Sequence, residues 1–223
     1  MEDKNLINYL FELLDKWRNF PNYQLERRAD IFFALYLEEI LQKRFKKEIG
    51  LIIPEFPVRT DSLINPKEKQ KQDNRSKKID YLAVSKDKEA VYLIELKTDD
   101  SSRNDEQDQF LKQTKETNIP RLIDGLILIK KASRAKKKYE YLFEKLYNIG
   151  WVDQTYKNNT SHLYENFEIV YIQPNNKKDE NNVITFLDVI ECLKHKTDPL
   201  TVRFLKSLEE WRENPNEKSE TCL

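Results

Sequence analysis

KKIDYLAVSKDKEAVYLIELK, residues 77–97, contains two apolar runs rich in β-branched and aromatic residues, split by the polar "KDKE". Such a pair reads as two antiparallel strands, 78–84 and 90–97, joined by a tight turn. Residues two apart on a strand share a face. Glu95 and Lys97 therefore point one way, while Ile94 and Leu96 fill the core on the other. Burying both charges without partners would cost several kcal/mol. Asp80, flanked by Ile79 and Tyr81 on the first strand, is expected close to opposite Glu95 or its neighbour. Two carboxylates from adjacent strands make an oxygen site for a hard divalent ion. Mg²⁺ suits it, because that ion takes one or two carboxylates and keeps several waters. A lysine beside the ion can orient or deprotonate a water, or stabilise charge developing on a phosphate. The alternative is a structural salt bridge of Glu95 with Lys97 or a neighbour.

Outward from the hairpin, the pattern alternates helices and strands. Leu6, Leu10, Leu13, Leu14 and Trp17 give residues 4–19 a helical period, broken at Pro21. A longer helix over 24–48 carries Ala29, Phe33, Tyr36 and Ile40 on one stripe, with Gly50 as its expected stop. "LIIPEFPV" (51–58) reads as a strand that Pro54 and Pro57 confine to an edge. Beyond the hairpin, 104–117 reads as a polar helix and "GLILIK" (125–130) as a strand. Residues 133–150 form a helix with Ser133 as cap and Gly150 as stop, 167–174 and 183–186 are strands, and two helices follow. This order predicts an α/β fold, a mixed central sheet flanked by helices. A helix between strands 90–97 and 125–130 makes that pair parallel. One domain is expected over 1–213, with a core at about 24–130, a C-terminal α/β extension over 131–213, and a flexible tail over 214–223.

Composition excludes more than it selects. Thirty-nine basic residues balance 39 acidic ones, so global charge points to no partner and any nucleic-acid contact must come from local patches. Cys192 and Cys222 lack metal-ligand spacing, as expected of a reducing, cytoplasmic setting. The N-terminus does not read as a signal peptide, and no apolar run approaches the roughly 20 residues of a membrane span. His162 and His195 have no zinc spacing, and three glycines cannot build a nucleotide-binding loop.

"ID" at 79–80 followed by "ELK" at 95–97 resembles the PD-(D/E)XK nuclease superfamily, the restriction-endonuclease-like fold, with Ile79 where the motif's name has proline. The order helix, three strands, helix, strand over about 24–130 is similar to that family's core, with helical N-terminal and C-terminal additions. The resemblance implies Mg²⁺-dependent cleavage of phosphodiester bonds, with Mn²⁺ as the expected substitute and DNA as the expected nucleic acid. It implies that Asp80 and Glu95 are metal ligands and that Lys97 positions or activates the water. Some members add a glutamate from the first core helix. Here Glu26 lies closest to the apolar stripe and Asp30 next, whereas Glu38 is nearly opposite. Some add a glutamine from the helix after the Glu-x-Lys strand. Gln107, on the face of Phe110 and Leu111, is the one expected to turn inward.

Two basic segments flank this constellation. One runs through Lys67, Lys69, Lys71, Arg75, Lys77 and Lys78; the other contains Lys130, Lys131, Arg134, Lys136, Lys137 and Lys138. Both can neutralise phosphates independently of sequence, and Arg103, before the polar helix, can hold one too. The competing expectation is a nuclease-like fold that no longer cuts and serves as a nucleic-acid-binding or protein-interaction module. Oligomeric state is left open, a homodimer among the alternatives.

Overall fold

A computed structural model describes residues 6–63, 75–99, 102–160, 166–177 and 180–213. The expected tail and the Lys67, Lys69 and Lys71 segment lie outside the described residues. In chain order the elements are α1 (Leu6–Trp17), α2 (Glu26–Phe45), β1 (Ile49–Arg59), a 3-10 turn (Thr60–Ser62), β2 (Ser76–Ser85) and β3 (Ala90–Leu96). Then come α3 (Asp105–Glu116), α4 (Ile119–Ala132), α5 (Lys136–Asn148), β4 (Asn166–Gln173), β5 (Val183–Thr185), α6 (Phe186–Leu193) and α7 (Pro199–Trp211). The strands form a five-stranded mixed sheet in the order β1-β2-β3-β4-β5, flanked by helices, as the α/β pattern predicts. β1, with its two prolines, stands at an edge, where missing amide donors do least harm. β1, β2 and β3 are antiparallel, and β4 and β5 are parallel.

The largest departure from the sequence pattern is at 125–130, which is helix and not strand. "GLILIK" is too short a window to separate the two periods. Taken with its flanks, the segment buries Ile119, Leu122, Ile123, Leu126 and Ile129, a spacing of three and four. Asn118 caps the helix by accepting the Arg121 amide, and proline occupies the first turn. The strand following β3 in sequence is therefore β4, reached after three helices, and the expected parallel partner at 125–130 does not exist. Two caps also differ. α2 ends on Lys46 in the left-handed region (φ 56°), while Gly50 is already in β1. There a Cβ at residue 50 would stand 2.9 Å from Lys86 Cα, so close strand approach explains the glycine. α5 starts after Ala135 rather than at Ser133, but Gly150 (φ 79°) does end it.

The chain divides into two compact units, one from Met1–Lys47, Leu96–Asn104 and Val170–Leu223, the other from Glu48–Glu95 and Asp105–Ile169. The first packs α1, α2, α6 and α7 around aromatic rings. Phe204 lies 5.2 Å from Phe33 and 5.9 Å from Tyr36, and Phe33 lies 5.4 Å from Phe186. Asp15 is the polar centre of that unit, accepting from Arg203, from Ser207 Oγ at 2.8 Å and from Trp211 Nε1 at 2.9 Å. The second unit is built on the β1–β2–β3 meander. Its α4 presses close enough on the end of the 3-10 turn that Gly125 has no room for a side chain: a Cβ would meet Ser62 Oγ at 2.1 Å.

Candidate active site

β3 is buried at all seven positions, so the only charge on it is placed against the expected pattern of an apolar strand. That charge is Glu95, 2% exposed. β2 and β3 pair with Tyr81 opposite Ile94 and Leu82 opposite Leu93. Carrying this register one residue further brings Asp80 level with Glu95. Cross-strand partners in an antiparallel pair share a face, with Cβ atoms about 4.5–5.5 Å apart, and like charges so placed repel. Continued in this way, the register sets the two carboxylates on one face of the hairpin.

α3 contributes the third member. Its buried positions are Phe110, Leu111 and Thr114, and Gln107 precedes them by three, four and seven residues on the same stripe. Gln107 turns inward and its Nε2 donates to Glu95 Oε1. Asp80, Glu95 and Gln107 all belong to the second unit.

Lys97 belongs to the first unit, one residue past the boundary at Leu96. It is 4% exposed, and its amide donates to Ile172 O at 2.8 Å, which keeps the chain extended beyond β3. A buried ammonium requires a counter-charge. Glu26, the first residue of α2, supplies one, with Oε2 3.7 Å from Lys97 Nζ and a side chain 31% exposed. Asp30, one turn further along α2, is exposed and accepts the Ile31 amide. Of the two helix carboxylates singled out in the sequence, Glu26 forms an ion pair with Lys97.

The basic candidates have mixed surroundings. Arg103 is held inside the first unit, 2.6 Å from Glu180 and 3.9 Å above the Tyr171 ring. Lys77 lies 5.5 Å over Phe110, and Lys78 pairs with Glu55 at the surface. Lys136 reaches back to the carbonyls of Lys130 and Lys131, at 3.0 and 2.7 Å, and so closes the C-terminus of α4. Lys137 and Lys138 are exposed in the first turn of α5.

Among the described residues no group of three or more His, Cys, Asp or Glu side chains is arranged to hold a metal ion. Asp80 and Glu95 supply two carboxylates. That donor set fits Mg²⁺, which completes its octahedron with water, and does not fit zinc. Arg18, Arg27 and Thr98 border a cleft that Glu26 also lines. They carried no sequence signal, because nothing in a linear pattern brings residue 98 to the start of α2.

No family model, curated protein or solved structure matches this chain. No helix among the described residues is long and apolar enough to cross a membrane.

Proposed function

We propose that this chain is a metal-dependent phosphodiesterase of the PD-(D/E)XK type, acting on nucleic acid and first of all on DNA. The observation that supports the proposal is the β2–β3 register, Tyr81 opposite Ile94, which continued by one residue sets Asp80 level with the buried Glu95. Such a pair repels itself unless a cation lies between or beside it. Asp80 and Glu95 would hold Mg²⁺, or Mn²⁺ in its place, and Gln107 orients the Glu95 carboxylate through its amide. The ion supplies a polarised water and compensates charge on the phosphate when bound. Lys97, two residues along the same extended chain from Glu95, orients that water or donates to the developing oxyanion. Glu26 keeps the Lys97 ammonium fixed and charged. Lys137 and Lys138 are exposed in the first turn of α5 and available for contact with a phosphate backbone.

A second reading has one observation in its favour. The Lys97–Glu26 ion pair satisfies the lysine without any substrate, as a structural pair would. An inactive nucleic-acid-binding or protein-interaction module would retain it. Incubation with supercoiled plasmid, linear single-stranded DNA and RNA, each with Mg²⁺, Mn²⁺ or EDTA, separates the two. Cleavage of DNA with either metal and none in EDTA is the expected result. No cleavage of any substrate with either metal, or cleavage indifferent to EDTA, removes the metal-dependent reading.

A further inference from the structure

α2, which lies wholly in the first unit, buries Ala29, Phe33, Leu37, Ile40 and Leu41. At about 100° per residue, its opposite face carries Arg28, Ile31, Leu35, Glu38 and Gln42. All five are exposed, and Ile31 and Leu35 keep 59% and 58% of their surface in solvent. Apolar side chains scattered singly over a surface need no explanation. These two stand one turn apart on a stripe that steps by three, four, three and four residues. That step is the seam of paired helices, and the water-facing side of a surface helix is ordinarily polar. The residues bracketing the apolar pair carry opposite charges, Arg28 on the N-terminal side and Glu38 on the C-terminal side. Neither side chain is engaged in an ion pair or hydrogen bond among the described residues.

The series Arg28, Ile31, Leu35, Glu38 is its own complement when read in reverse. Two copies of α2 laid antiparallel, about a two-fold axis level with residue 33, set Ile31 against Leu35 of the second copy. The same arrangement sets Arg28 against Glu38 of the second copy, and symmetry repeats each pairing. A parallel arrangement would set arginine on arginine and glutamate on glutamate, so the charges select the antiparallel one. We infer that the exposed face of α2 is the seam of a homodimer, an antiparallel helix pair about that axis. The occupant is a second copy of this chain because one face then satisfies both its apolar and its charged residues. The layers from residue 28 to residue 38 span about 15 Å of helix. So short a seam is smaller than a standard interface and supports a weak dimer, with a dissociation constant of about 10–500 μM. The inference is independent of the metal-dependent reading, since none of these residues belongs to the proposed site.

The test is sedimentation equilibrium of the full chain from about 10 μM to about 1 mM, which brackets that range. Low salt keeps the charge pairs unscreened, and EDTA keeps the metal site out of the measurement. The wild type should pass from monomer to dimer. Arg28→Glu and Glu38→Arg should each weaken the dimer by about tenfold or more, because each change places two like-charge pairs in the seam. The double variant Arg28→Glu/Glu38→Arg should associate like the wild type, since it rebuilds the same pairs in reverse. An equimolar mixture of the two single variants should also recover the dimer, one copy then presenting acidic residues at both positions and the other basic ones. Leu35→Gln should abolish association. All these positions are exposed, so melting temperatures should be unchanged, and melting curves check this. A wild type that stays monomeric throughout overturns the inference. So does a dimer that both single charge reversals leave intact, or a loss that the double variant or the mixture fails to recover.

Discussion

A carboxylate that is 2% exposed, on a strand otherwise apolar, and level with a second carboxylate is a poor choice for stability. Residues of this kind are retained where function needs them, and their removal then separates function from folding. Glu95→Gln keeps the shape and still accepts from Gln107, but removes the repulsion with Asp80. In EDTA its melting temperature should equal or exceed that of the wild type, by up to about 1–4 °C, since a like-charge cross-strand pair is worth roughly 0.2–1 kcal/mol. Cleavage and the Mg²⁺-induced rise in melting temperature should both vanish. A large fall in melting temperature instead would make Glu95 a structural residue. Asp80→Ala should lose cleavage and Mg²⁺ stabilisation together. Lys97→Ala should lose most cleavage and keep the Mg²⁺ effect, because the lysine is no ligand. Period two singled out Glu95 and Lys97, both of which are buried, and the α3 stripe picked out Gln107, which donates to Glu95. Arg103 was not legible in the same way. Its partner Glu180 lies 77 residues away, and only the folded chain brings the two together.

At the scale of elements, the hairpin was readable because each of its strands is long enough to exhibit its period and the turn between them is polar. In α4 the helix signal lies in the cap and the proline that precede its most apolar stretch, and that stretch by itself is too short to separate helix from strand. That helix also shows how close packing is written into a sequence of only three glycines. A Cβ at residue 125 would sit 2.1 Å from Ser62 Oγ and 3.2 Å from Arg59 Cβ. Gly125→Ala, which would stabilise an unhindered helix by about 0.5–1 kcal/mol, should here destabilise by about 1–3 kcal/mol. Adding Ser62→Ala should recover part of that loss, because the nearest clashing atom is gone and the two remaining contacts, 3.1 Å to the residue 62 Cβ and 3.2 Å to Arg59 Cβ, are merely tight. Urea denaturation of the two variants measures both terms. If Gly125→Ala raises stability, α4 does not pack on the turn at Ser62. Asn118→Ala should cost about 1 kcal/mol through the lost cap, a loss independent of residue 125 and so additive with it.

For the whole molecule, balanced charge means that any affinity for nucleic acid must come from a few side chains free to leave the protein's own ion pairs. The basic candidates divide on this point. Arg103 is committed to Glu180 and Tyr171, and Lys136 to the end of α4, whereas Lys137 and Lys138 are exposed on α5. Each phosphate neutralised releases counterions and contributes about 0.9 to the slope of log affinity against log salt on duplex DNA. Replacing Lys137 and Lys138 together by glutamine should therefore flatten that slope by about 1–2 while leaving the melting temperature unchanged. Arg103→Gln should do the reverse. It breaks a partly buried, charge-assisted contact at 2.6 Å and should lower stability by about 1–2 kcal/mol, with the salt slope intact. Binding to a duplex of fixed sequence, measured from low to high salt in EDTA, gives the slopes, and thermal melts give the other axis. A steep wild-type slope that survives loss of Lys137 and Lys138 would move the phosphate contacts elsewhere on the chain. A slope that collapses in Arg103→Gln at unchanged stability would show that the arginine leaves Glu180 to meet the backbone. Affinity that is flat in salt for the wild type would mean that the hairpin carboxylates serve a substrate other than a polyanion.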